Sequence, residues 1–185
     1  MPIILPLLLL IQSAEAPVQP PAETSEQPVD WAEQFGFEEE KRDPVTGEFP
    51  VDPYEQSNAN AGATPVRSDR LSEQFGGQEG IRRMTDRLIE INLADPRISA
   101  IFEGHDLVRL RRTLFEQFCY VLDAGCDYSG RDMRAAHQDM GLQIDDMNAL
   151  VENLQKAMRE RHIVFASQNR LLAKLAPMKH DVLQQ

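Results

Sequence analysis

Cationic side chains, cysteine and aromatic rings are all sparse in this chain. Lys and Arg number 19 against 30 Asp and Glu, for a formal net charge of −11. That balance excludes the usual basis of nucleic-acid affinity, the neutralisation of phosphates by basic side chains. Short basic clusters such as Arg109, Arg111 and Arg112 read as a solvated helix face, the alternative being that some meet a carboxylate ligand. The two cysteines, Cys119 and Cys126, do not have the spacing of a zinc site. They could pair if their α-carbons came within about 7 Å, but free, half-buried thiols are the expected state, one in a helix and one in the loop after it. Among the four histidines, His105, His137, His162 and His180, there is no His-Glu-x-x-His and no Cys-His cluster. Neither a Ser-His-Asp arrangement nor a glycine-rich phosphate loop is evident. No stretch alternates with period two for long enough to make a strand.

Long hydrophobic runs are also missing. The one apolar run, Ile3 to Ile11, is too short to span a bilayer. Followed by Ala14-Glu15-Ala16, it suits the core of a secretory signal over residues 1–16, although no Lys or Arg precedes it. Export, to a periplasm, is therefore the expectation, with no membrane attachment once the signal is removed. A frayed apolar tail on a cytoplasmic protein is the alternative. Residues 17–68 are rich in Pro, Glu, Gln, Asn, Ala and Gly. From Pro17 to Arg70 there are 12 acidic residues against 4 basic. Such a stretch cannot bury enough surface to offset its ordering entropy, and it reads as a disordered acidic linker. Trp31 to Phe37 is a short aromatic island within it.

The folded domain is expected over residues 69–185. After Gly76-Gly77, apolar positions Ile81, Met84, Leu88, Ile91 and Leu93 predict a helix over 78–94 that stops at Asp95-Pro96. Asp106 is a candidate N-cap for a helix to Leu122, whose face is Leu107, Leu110, Leu114, Phe118 and Val121. A loop over 123–130 leads to a short helix over 131–137. Ile144, Met147, Leu150, Val151, Leu154 and Met158 mark a third long amphipathic helix. A last one starts near Phe165 and should end or kink at Pro177. The class is all-α.

A lone histidine on a short helix is more often structural than functional. The setting of His137 argues otherwise. Met133 lies one turn before it on the same face, and that face must meet the apolar stripe of Leu110 and Leu114. A single imidazole facing an apolar slot suits a flat cofactor better than a bare ion, because a porphyrin brings four ligands of its own.

The order of short motifs then carries a resemblance. Phe75-Gly76-Gly77, Leu93-Ala94-Asp95-Pro96, Phe102-Glu103-Gly104, Tyr128-Ser129-Gly130-Arg131-Asp132-Met133, Ala136-His137, Gln168-Asn169-Arg170-Leu171-Leu172 and Leu175-Ala176-Pro177 together resemble the truncated haemoglobins of the first group. The likeness runs from about Arg70 to Val182. It implies a truncated globin fold, a two-over-two helical sandwich, with His137 as the ligand of haem iron. By the same resemblance Phe102 packs on the haem face, Met133 and Leu142 on the proximal side, and Met147 and Leu150 form pocket walls. Tyr128 and Arg131 stand where the family often holds haem propionates, and His105 could reach them; a solvated loop position is the alternative for each. The better-known members carry a tyrosine and often a glutamine over the bound gas, where this chain has Ile89 and Leu114, with Leu110 over the iron. Gln117, one turn further along, is expected to face water, the alternative being that it swings inward. No Cys-x-x-Cys-His occurs, so the resemblance implies non-covalent haem b.

The function expected is reversible binding of oxygen, nitric oxide or carbon monoxide at a five-coordinate iron with an apolar distal pocket. Dioxygenation of nitric oxide would require a separate electron-donor reductase. A haem-based sensor or haem-delivery module acting through protein contacts is the alternative, and a cofactor-free interaction domain with His137 merely buried is a third.

Overall fold

The structure, a computed structural model, describes residues 41–67 and 70–183. The apolar run at the N-terminus and the island from Trp31 to Phe37 lie outside the described residues.

Seven α-helices follow one another after Arg70: α1 Leu71–Gln74, α2 Gly77–Ala94, α3 Leu107–Val121, α4 Met133–His137, α5 Ile144–Glu160, α6 Phe165–Leu175 and α7 Lys179–Leu183. Gly76 and Gly77 have φ of +81° and +62°, a region that L-residues with side chains rarely enter, so the chain turns there between α1 and α2. Asp106 caps α3, its Oδ1 accepting from the amides of Val108 at 3.0 Å and Arg109 at 3.3 Å. That satisfies two of the donors a helix start leaves orphaned. At the far end Pro177 breaks the last helix as expected, and Ala176–Met178 is a 3-10 turn between α6 and α7.

Helix α2 packs against both α3 and α5. Ile81, Met84, Leu88 and Ile91 of α2 meet Phe115, Phe118, Cys119 and Val121 of α3, Leu154, Ala157 and Met158 of α5, and Leu171 of α6 in one core. Each large side chain fully buried there contributes about 1.5–3 kcal/mol of transfer free energy. Two polar groups cross this core as a matched pair. Asn153 of α5 donates to Asn92 Oδ1 of α2 at 3.1 Å and to Asp95 Oδ2 at 2.9 Å, so neither amide is buried without a partner. The architecture is all-helical, two helix pairs across a shared core.

Two expectations need correction. The linker does not stay disordered to residue 68: residues 41–67 are packed onto the helical domain, and both belong to one compact unit beginning at Glu40. A turn at Asp43, whose Oδ1 accepts from the amides of Val45 at 2.9 Å and Thr46 at 2.7 Å, leads into an extended strap. A 3-10 turn, Asn58–Ala61, follows. Ala61 and Val66 are buried, and the amide of Val66 donates to the carbonyl of Val121 at 2.8 Å. Composition undercounts such a segment because its ordering entropy is offset largely by polar groups with specific partners. Secondly, Cys119 and Cys126 are joined as a disulfide with their α-carbons 5.6 Å apart. The reason is the tight turn after α3, where the amides of Asp123 and Ala124 donate back to the carbonyls of Tyr120 and Cys119 at 3.0 and 2.9 Å. That reversal carries Cys126 back to the helix end.

Candidate functional site

The loop after α3 ends at Gly130, where any β-carbon would collide with the Tyr128 ring. Asp132 then caps α4, accepting from the amide of Ala135 at 2.9 Å. One turn of helix suffices to bring the Met133 carbonyl to the His137 ring, 2.6 Å from Nδ1. A carbonyl only accepts, so Nδ1 carries the proton and the neutral ring keeps its lone pair on Nε2. His137 is half-buried and lines a cavity of about 520 Å³, within the range of cofactor and ligand sites.

The other eleven side chains singled out in the sequence line that same cavity: Ile89 from α2, Phe102, His105, Leu110 and Leu114 at and along α3, Tyr128, Arg131, Met133, and Leu142, Met147 and Leu150 leading into α5. Ile89 is 1 % exposed. Leu110, Leu114, Leu142, Met147 and Leu150 are half-buried, and His105 is exposed. The wall is therefore predominantly aliphatic, with the half-buried imidazole of His137 and the exposed one of His105 on it.

Polar groups on the wall are mostly committed to the backbone. The Tyr128 hydroxyl donates to the Arg131 carbonyl at 2.9 Å, and burial pushes its pKa upward. The loop reading of Tyr128 as solvated is thus replaced by a buried ring that braces the turn into α4. Thr113 donates to the Arg109 carbonyl at 3.0 Å. Gln117 is corrected as well: it is buried rather than facing water, and its amide donates to the Ala61 carbonyl at 2.9 Å. The helical spacing of Gln117 was right for a bare helix, but the strap covers that face.

Sequence reasoning missed the strap's own contribution, since Phe49, Val51 and Tyr54 also line the cavity, as do Arg109 and Val182. The apolar residues at 49, 51 and 54 were the only signal, and they keep neither a strand nor a helix period. The residues present fit a haem. The cavity is apolar and half-open, one imidazole nitrogen is free to ligate, and cationic side chains stand on its wall. Among the described residues no group of three or more His, Cys, Asp or Glu could hold a bare metal ion.

Comparison with known proteins agrees with this geometry. The bacterial-like globin family matches residues 70–184. The chain is 28 % identical to the group 1 truncated haemoglobin LI410 of Chlamydomonas moewusii, over 61 % of this chain and 67 % of that one. It is 26 % identical to the group 1 truncated haemoglobin GlbN of Nostoc commune, over 61 % of this chain and 96 % of the relative. Among solved structures, the 2/2 haemoglobin of a Synechococcus species, described with covalently attached haem, superposes with a TM-score of 0.58 at 25 % identity, covering 62 % of this chain and 98 % of that one. The Fe(III) truncated haemoglobin of Tetrahymena pyriformis shares the fold at a TM-score of 0.60 and 23 % identity, with the same coverage of both chains.

Proposed function

The chain belongs to the bacterial-like globin family and is a haem-binding globin, and from that premise we propose that it reversibly binds a diatomic gas at a five-coordinate iron whose protein ligand is Nε2 of His137. Haem, when bound, supplies an iron already held by four ring nitrogens, with one position for a protein ligand and one for a gas. The observation that carries the reading is the hydrogen bond from His137 Nδ1 to the Met133 carbonyl. It fixes the tautomer and ring orientation of a metal-ligating histidine and makes Nε2 the better donor.

Phe102, Met133 and Leu142 supply packing for a flat ring, and Met147 and Leu150 close the wall from α5. Ile89, Leu110 and Leu114 give the gas an apolar surrounding, with no tyrosine or glutamine donor from positions 89 or 114. A hydrogen bond to a charged acceptor is worth about 1.5–3 kcal/mol, so its absence favours nitric oxide or carbon monoxide relative to oxygen. We propose that the haem is held without a covalent bond; a thioether is closed to it, since there is no Cys-x-x-Cys-His and the two cysteines are joined to each other. Extraction with acidified organic solvent should therefore remove all haem, and retention of colour by the protein would contradict this. Turnover of nitric oxide would need an electron-donor reductase as partner. The disulfide, together with the apolar run from Ile3 to Ile11, supports an oxidising compartment outside the cytoplasm.

Haem titration of His137→Ala tests the assignment. Loss of stable binding, or a spectrum of altered axial ligation, is the expected result. Binding and spectra identical to the parent chain would overturn it.

A further inference from the structure

The cavity is not built by globin helices alone. Phe49, Val51 and Tyr54 line it from a segment that precedes the family match at residue 70. This segment is seated by polar contacts at several points. The carboxylate of Glu48, 6 % exposed, accepts from Arg112 Nε at 2.5 Å and Nη2 at 2.9 Å and from Arg109 Nε at 3.1 Å. The amide of Phe49 donates to Asp106 Oδ2 at 2.7 Å, so the residue that caps α3 also holds the strap. Tyr54 donates to the Ser129 carbonyl at 2.9 Å.

Two arginines on the cavity wall are held from the strap. Arg109 is bound by Glu48 and by the Phe49 carbonyl. Arg131 donates to the Asp52 carbonyl at 3.4 Å, and its guanidinium lies 5.4 Å from the Tyr54 ring centre. Among the described residues no carboxylate pairs with Arg131, whereas the charge of Arg109 is matched by Glu48. Arg131 is thus a positioned cation at the cavity with its charge still available to an anion.

We propose that residues 48–54 are part of the cofactor site: a clasp in which Phe49, Val51 and Tyr54 cover the edge of the haem and the strap positions Arg131 to meet a haem carboxylate, slowing loss of the cofactor. This rests on the haem-binding reading above. The clasp adds apolar contact to the ring edge, and its backbone carbonyl at Asp52 and the Tyr54 ring restrict Arg131 before any ligand arrives, which lowers the ordering cost of binding.

The test is the rate at which full-length haem-loaded protein surrenders haem to an excess of a high-affinity apoglobin. In the double variant Phe49→Ala/Tyr54→Ala the rate should rise about tenfold, with the absorption spectrum of the iron–histidine unit unchanged. A rate equal to that of the parent chain would overturn the clasp while leaving His137 ligation standing; a parent chain that takes up no haem would overturn the reading beneath it. Should the variant not fold, amide hydrogen exchange of the unmodified chain decides. Haem addition should slow exchange over residues 48–60, and exchange there that is the same with and without haem would overturn the clasp.

Discussion

An imidazole in water shares its proton between two ring nitrogens, and His137 does not. Its Nδ1 is tied to the Met133 carbonyl, so a neutral ring has its lone pair on Nε2, a constraint that costs the fold only one turn of α4. In the proposed reading the gas meets positions 89 and 114, and both are aliphatic. Ile89→Tyr should slow oxygen release by about tenfold or more, the equivalent of a hydrogen bond to a charged acceptor; stopped-flow off-rates check it, and an unchanged rate would show that residue 89 does not face the gas. At this scale every side chain singled out in the sequence falls on the cavity wall, but the strap residues and several polar ones on it were not foreseen. Leu110, Leu114, Met147 and Leu150 fall at helical spacing, and the family resemblance supplied Ile89 and the rest. Gln117 was not, because a helix face looks solvent-exposed until the segment covering it is known.

The strap is the element that composition concealed. Its apolar residues are few, but Glu48 satisfies two guanidinium groups at once and Asp106 serves both a helix start and the Phe49 amide. The hydrogen bond from Arg112 lowers the pKa of Glu48 despite burial, which acts in the opposite direction. For Asp106, burial raises the pKa, and the Phe49 amide, Arg42 and the amides of Arg109 and Val108 outweigh it. Both groups thus ionise more readily folded than unfolded. Their contribution to stability is present above the ordinary carboxylate range of about 4 and is lost as pH falls through the lower folded values. Hydrogen-exchange protection factors over 41–67, with the intrinsic pH dependence of amide exchange removed, should therefore fall on acidification before those of α2; simultaneous loss of protection in both would contradict a separately releasable strap. Glu48→Ala, which leaves Arg109 without its carboxylate and Arg112 with Glu116 alone, should lower stability by about 1–2 kcal/mol by denaturant unfolding. The helices themselves were readable, since Asp95-Pro96, Asp106, Gly76-Gly77 and Pro177 punctuate them by rules of backbone geometry.

Across the described residues the main core and the cavity share α2, α3 and α5, and the disulfide closes the short loop between α3 and the turn that leads to α4. A cross-link of this loop length contributes about 2 kcal/mol on the chain-entropy account. Cys126→Ser should lower the unfolding midpoint accordingly, and an unchanged midpoint would mean the bond is dispensable to the fold. The pairing was not legible from sequence because it depends on how sharply the chain reverses after Val121, a property set by backbone hydrogen bonds rather than by the spacing of the two cysteines. Among the described residues no helix is long and apolar enough to cross a membrane.

The measurement that bears most directly on the account is the absorption spectrum of the full chain, purified after expression with haem supplied, in its ferric, ferrous and carbon monoxide-treated states. The account predicts an intense haem band that shifts on reduction and again on adding carbon monoxide, and that is lost or altered in His137→Ala. A chain without that band, or one whose band is indifferent to the loss of His137, would contradict it.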